Sequence, residues 1–263
     1  MQQVYTLSPT LILRTKEAFV RSVVWAFIGI LYGLLFLFFA ELAKHHQLPI
    51  HPFYFAAVLA GAIGALIYSS MRLAVLLASI ISPLCILIMI LASEPVPPAK
   101  LIMIVAPAGA VIGAFYGLFS AGSRIYRADA KTLAGFSAGF IVGLGYLILS
   151  EYLKGLHFGL IVAAMCIATG WLYVLFVPTF IRTFTDLLPP VMDGALVGAG
   201  VAIFLVVSLF IMTTSIEVVT RAESLPLIQQ IDELLPQALT GGLLGGAFAG
   251  FISGLALTKW QDL

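Results

Sequence analysis

Charge is scarce in this sequence. Lys, Arg, Asp and Glu make up 10% of the 263 residues, against roughly 25% in soluble domains. The apolar fraction is 62% and the mean hydropathy +1.12. A water-soluble fold cannot hide that much apolar surface, so the expected solvent is lipid. The net charge of +1 supplies no clustered basic face and excludes nucleic acid as a partner. Cysteine is nearly absent. Cys85 and Cys166 each lie in an apolar run, and no disulfide is expected.

Catalytic signatures are missing as well. The chain has no HExxH, GxSxG, Walker loop or CxxC, so it is not expected to be an enzyme. No apolar run carries an ionisable residue near its centre; Glu41, Asp193 and Glu217 stand close to predicted ends. A carboxylate relay for ion-coupled antiport needs an acid at mid-membrane. What remains is a passive pathway for a small solute, or no pathway at all.

Long apolar runs are what the sequence does have. A bilayer core of about 30 Å needs about 20 helical residues. Eight stretches qualify: 20–42, 52–70, 73–92, 101–123, 133–150, 157–181, 191–212 and 237–257. Prolines mark several breaks (Pro52, Pro95–Pro98, Pro189–Pro190), while Pro83, Pro107 and Pro178 fall inside spans. Basic Arg14, Lys16 and Arg21 precede a first run too long for a signal-peptide core, which predicts an uncleaved first span. Ser8-Pro9 reads as the start of a surface helix or as the beginning of that first span.

Eight spans sort the cations. Nine of the thirteen fall on one side (Arg14, Lys16, Arg21, Arg72, Arg124, Arg127, Lys131, Arg182, Lys259) and four on the other (Lys44, Lys100, Lys154, Arg221). The positive-inside rule then places both termini in the cytoplasm of a cell with this inner (plasma) membrane. Trp260 reads as an interface anchor. Leu227, Ile228, Ile231, Leu234 and Leu235 recur at helical spacing, which predicts either a short amphipathic helix at the outer interface or a loop packed on the bundle.

Two stretches repeat one pattern: "GAFYGLFSAGSR" from Gly113 and "GAFAGFISGLALTK" from Gly246. Small residues recur at every fourth position in Gly109, Gly113 and Gly117; in Gly135, Gly139 and Gly143; and in Gly242, Gly246, Gly250 and Gly254. Ala57, Gly61, Ala65 and Ser69, and Gly194, Gly198 and Ala202, do the same. Such stripes let helices approach closely in lipid; some could instead line a narrow pathway. Further matches in the same order, "AFIGILYGLLF" with "AGFIVGLGYLIL" and "HPFYFAAV" with "HFGLIVAAM", suggest a parallel duplication of a four-helix unit. The halves would be residues 1–132 and 133–263.

All four histidines, His45, His46, His51 and His157, fall on the predicted outer side. Imidazole binds transition metals, with Glu41 or Glu151 as an oxygen donor; the alternative is an ordinary polar rim at the headgroups. Asp193 reads as the N-terminal cap of the seventh helix.

The fold class expected is an all-α polytopic transmembrane bundle. The leading function is a small-solute channel or carrier without an intramembrane charge relay. The rival is a non-catalytic subunit that packs in or anchors a larger membrane complex. The bilayer is a partner in either case, other membrane subunits in the second. No cofactor is expected beyond a transition metal at the histidines.

Overall fold

The computed structural model describes residues 9–92, 96–119, 127–183, 188–220 and 226–256. Among them stand eight α-helices and no strand: α1 (Pro9–His45), α2 (Pro52–Ser69), α3 (Met71–Leu91), α4 (Pro98–Phe119), α5 (Ala128–Leu153), α6 (Phe158–Thr183), α7 (Pro190–Thr220) and α8 (Pro226–Ala256). Each contains a stretch long and apolar enough to cross a membrane. The chain is an all-α, multi-pass integral membrane protein. Arg124, Arg221, Lys259 and Trp260 lie outside the described residues.

Proline starts five of the helices, α1, α2, α4, α7 and α8. Its missing N–H costs nothing in a first turn, and its fixed φ suits the helix. Only Ser70 separates α2 from α3. The stretch ahead of the last span is helical and continues into it as α8, with Pro236 inside; it is not a separate surface helix. Likewise α1 runs without a break from Pro9, so Arg21, grouped by the sequence with the flanking cations, lies well inside a helix and is buried. At its other end α1 closes in a Schellman motif. Leu48 N–H reaches the Ala43 carbonyl (3.0 Å) and Gln47 N–H the Lys44 carbonyl (3.1 Å), with Gln47 at φ 47°.

The chain forms two compact units, and their boundary falls within α2, α5, α6 and α8. Unit 1 comprises Met1–Ala60, Ala138–Pro178 and Leu234–Leu263; unit 2 comprises Gly61–Ser137 and Thr179–Glu233.

In unit 1, α1 and α8 run antiparallel with their backbones in contact. A Cβ on Gly242 would overlap the Gly29 carbonyl, and one on Gly29 the Gly242 carbonyl. Four residues along in each direction the pattern recurs: Gly33 meets Ala238, Gly246 meets Trp25, Gly250 meets Arg21 and Gly254 meets Ala18. Ser22 donates to the Ala247 carbonyl (2.9 Å), and Arg21 reaches the Ser253 carbonyl at 3.5 Å. On α6, Gly159 and Ala163 meet Gly241 and Gly245 of α8 in parallel order. The Tyr32 and Thr169 hydroxyls bond at 3.2 Å between α1 and α6. On α5, Gly139 meets Ala57, and Gly143 meets the Tyr54 ring.

Unit 2 repeats this chemistry with other helices. Gly113 and Gly194 each point at the other's carbonyl, as do Gly109 and Gly198, and Gly117 meets the Pro190 carbonyl, so α4 and α7 lie antiparallel. Gly135 of α5 meets Gly61 and Ala65 of α2. The apolar core here includes Leu66, Leu77, Ile81, Val105, Val197 and Val206. Large apolar side chains such as Ile90, Leu91, Met103 and Phe119 face outward, as expected of surfaces that meet acyl chains. In lipid, helices gain little from hiding such groups, so contact depends on close backbone approach and a few polar bonds.

A graded response to alanine follows. Gly242→Ala and Gly113→Ala must push two helix backbones apart and should each lower stability by about 1–3 kcal/mol, a typical overpacking cost. Gly64 and Gly145 have nothing within 4 Å of the added Cβ. Alanine there should be neutral or stabilise by up to ~1 kcal/mol through helix propensity. Unfolding equilibria in mixed detergent micelles measure all four.

Candidate functional site

At all ten glycines of the three all-glycine stripes, the space a side chain would need is taken by the helix alongside. These positions are occupied by packing, and functional chemistry has to be sought elsewhere. It is found among the buried charges. Arg21, Glu41, Asp129, Lys131 and Asp193 are all buried.

In unit 2 the two carboxylates form a clasp. Asp193, in the first turn of α7, does not cap its own helix. Its Oδ1 accepts from the Asp129 N–H (3.0 Å) and its Oδ2 from the Ala128 N–H (3.3 Å), at the start of α5. Asp129 returns the arrangement. Its Oδ2 accepts from the Leu188 N–H ahead of α7 (3.2 Å), and its Oδ1 from the Ala130 N–H (2.7 Å). All four oxygens are engaged by backbone donors that two helix N-terminal regions would otherwise leave unpaired. This clasp is structural.

Glu41 in unit 1 is different. It lies near the end of α1 and is fully buried. One oxygen pairs with the Lys44 ammonium at 2.5 Å, one turn on. The other, Oε2, is buried with no hydrogen-bond partner. Lys44 is part-exposed, and its Nζ stands 5.7 Å from the centre of the Phe53 ring, within cation–π range. Around Phe53 are Phe36 (5.5 Å between centroids), Phe158 (5.7 Å), Tyr146 (5.2 Å) and His51 (5.8 Å). Helices α1, α2, α5 and α6 thus build an aromatic group around Phe53, and one face of Phe53 and the Glu41 carboxylate meet the Lys44 ammonium.

The end of α5 supplies a built-in comparison. Glu151 and Lys154 form the same i,i+3 pair (2.6 Å), but both side chains are more than two-thirds exposed. A pair of that kind contributes little. At Glu41 the same motif has its carboxylate buried and its ammonium beside an aromatic ring.

His51 and His157 have one job in common. His51 Nδ1 accepts from the Phe53 N–H (3.2 Å), and its carbonyl from the Phe55 N–H (3.1 Å), so it caps α2. His157 Nδ1 accepts from the Gly159 N–H (3.2 Å), and its carbonyl from the Leu160 and Ile161 N–H groups, so it caps α6. The capping nitrogen is therefore engaged in both. His45 and His46 stand together on exposed backbone at the end of α1, with ring centroids 5.2 Å apart. Among the described residues no three His, Cys, Asp or Glu side chains are grouped to hold a metal ion. The His51 imidazole is held below its ordinary value of 6.5, first by partial burial and second by the Lys44 charge.

Two measurements check these assignments. Asp193→Ala leaves two buried N–H groups without acceptors and should cost about 2 kcal/mol or more; Asp193→Asn, which keeps one acceptor oxygen, should cost less. For His51, the lowered folded value means its cap is intact above the ordinary imidazole range. The cap's contribution falls away as pH drops from about 6.5 through the lowered value. An NMR titration of the ring should give a midpoint below 6.5, and Lys44→Met should raise it; a midpoint at or above 6.5 would remove the assigned Lys44 effect.

No protein-family model matches the chain, and neither a curated protein nor a solved structure does.

Proposed function

We propose that this chain is a carrier for a small solute, with the Glu41–Lys44 aromatic cluster as its recognition site and no catalytic role. The observation that carries the reading is the idle oxygen of Glu41. A buried carboxylate lacking part of its hydrogen bonding is costly, by some kcal/mol even after relaxation. The aspartate clasp avoids that cost with four backbone donors. A chain that served only as packing scaffold would have no use for an unfilled acceptor at Glu41. Ionisable groups kept within membrane helices mark substrate and ion pathways.

The stripes support the same choice by a different route. Their glycines are closed off by neighbouring backbone, so a pathway lined by them is set aside. With Arg21 buried inside α1, the remaining cations divide eight to four, and by the positive-inside rule that division supports a reading with both termini in the cytoplasm and the cluster on the outer face of the inner membrane. Glu41, near one end of α1, is suited to accept solute from that face rather than to relay protons across the membrane.

Purified protein reconstituted into liposomes decides the matter. A carrier should show saturable uptake from a panel of small neutral and cationic solutes, reduced at least tenfold by Glu41→Gln. No uptake of any of them, together with a defined partner that stays bound in mild detergent, would replace the carrier with a subunit of a larger complex.

A further inference from the structure

The Glu41 cluster already holds an ammonium, and it belongs to the chain itself. Lys44 Nζ donates to one carboxylate oxygen while lying over the Phe53 ring. Those two contacts, a charge-assisted hydrogen bond and a cation–π face, are what recognises a primary amine in its protonated form. The two partners differ in mobility. Glu41 is fully buried, whereas the Lys44 side chain is 41% exposed on a flexible stem. Lys44 can swing into water; Glu41 cannot follow.

The groups present also tell against an inorganic cation. Hard metal ions take six or more oxygen ligands. Here the described surroundings are one carboxylate and aromatic rings, of which only Tyr146 and His51 carry polar atoms, with His51 Nδ1 already engaged by the Phe53 N–H; no metal-holding group of three is present among the described residues. An ammonium carries its own N–H donors, and one of them could meet the Oε2 that Lys44 leaves unpartnered.

We propose that Lys44 is a tethered occupant of an amine site, and that the solute is a small primary alkylammonium cation that binds Glu41 by displacing the Lys44 ammonium into water. This rests on the carrier reading for its setting, but binding itself can be measured without transport. While Lys44 occupies the site, apparent affinity is lowered by the fraction of time the site is vacant. Removing the ammonium should therefore tighten binding.

The probe is methylammonium chloride, titrated calorimetrically into the full chain in detergent, against sodium chloride at equal ionic strength. Lys44→Met, which keeps an apolar stem, should bind methylammonium at least tenfold more tightly than the unaltered protein. Glu41→Gln in the Lys44→Met background should abolish that binding, and Phe53→Leu should weaken it several-fold. Lys154→Met, at the exposed counterpart pair, should leave it unchanged. Lys44→Met no tighter than the unaltered protein, or binding that survives Glu41→Gln, would overturn the proposal. If Lys44→Met does not stay folded on its own, solubilisation with methylammonium should recover it where sodium does not; equal recovery with both salts, or none, counts against the proposal. Binding without liposome uptake would remove the carrier reading and leave this inference standing. Uptake of another solute, with Lys44→Met blind to methylammonium, would do the reverse.

Discussion

In hydrocarbon two helices gain almost nothing by covering each other's leucines, so how near their backbones can come decides whether they stay together. In unit 1 that constraint is met where α1 lies on α8, and in unit 2 where α4 lies on α7. Glycine is used at the same spacing on both members of each pair, so that a carbonyl of one helix fills the space a Cβ would need on the other, an approach that suits Cα–H···O contacts. Such Cα–H···O contacts are weak singly, on the order of 0.5–1 kcal/mol, and the ladders repeat them turn after turn. The outward leucines, isoleucines and phenylalanines contribute solubility in lipid rather than specificity.

Tight backbone contact leaves little room for water, which makes every buried charge a separate problem. The chain solves it in two ways. In unit 2, Asp129 and Asp193 hold one another's helix starts and use all their oxygens doing so. In unit 1, Glu41 has a lysine on one oxygen and nothing on the other. That asymmetry separates carboxylates whose oxygens are all engaged by backbone donors from one that keeps a buried oxygen without a partner. The Phe53 ring sets a cation–π face beside the Lys44 ammonium, and the His51 cap engages the Phe53 N–H at the start of α2.

Much of this architecture is legible in the residue order, for a physical reason. Apolar runs of span length, prolines at helix starts and small residues every fourth position are local signals, and each acts within one helix. The Asp193 cap could be recognised as a cap but not assigned, because the N–H groups it meets are some 64 residues away. Arg21 sits among flanking cations in the sequence, and only the approach of α8 buries it. The Gly29–Gly33 pair in α1 carries the same four-residue spacing as the longer stripes and is the partner of the one on α8. Glu41 and Lys44 are visible as an i,i+3 pair, yet so are Glu151 and Lys154. What distinguishes them is burial, and that depends on how the helices pack rather than on the pair's spacing. The histidines form a single group in the sequence, whereas two of them are helix caps, each one residue ahead of a helix start.

The central claim is that paired glycines act together as a backbone seat. A double-mutant cycle on Gly29→Ala and Gly242→Ala, with unfolding free energies in mixed micelles, tests it most directly. Once one alanine has opened the seat, the second should cost little, giving a coupling of about 1 kcal/mol or more; Gly29→Ala with Gly64→Ala should add within about 0.5 kcal/mol. Simple additivity at Gly29 and Gly242 would mean that the two backbones do not bear on each other, and the account would fail at its base.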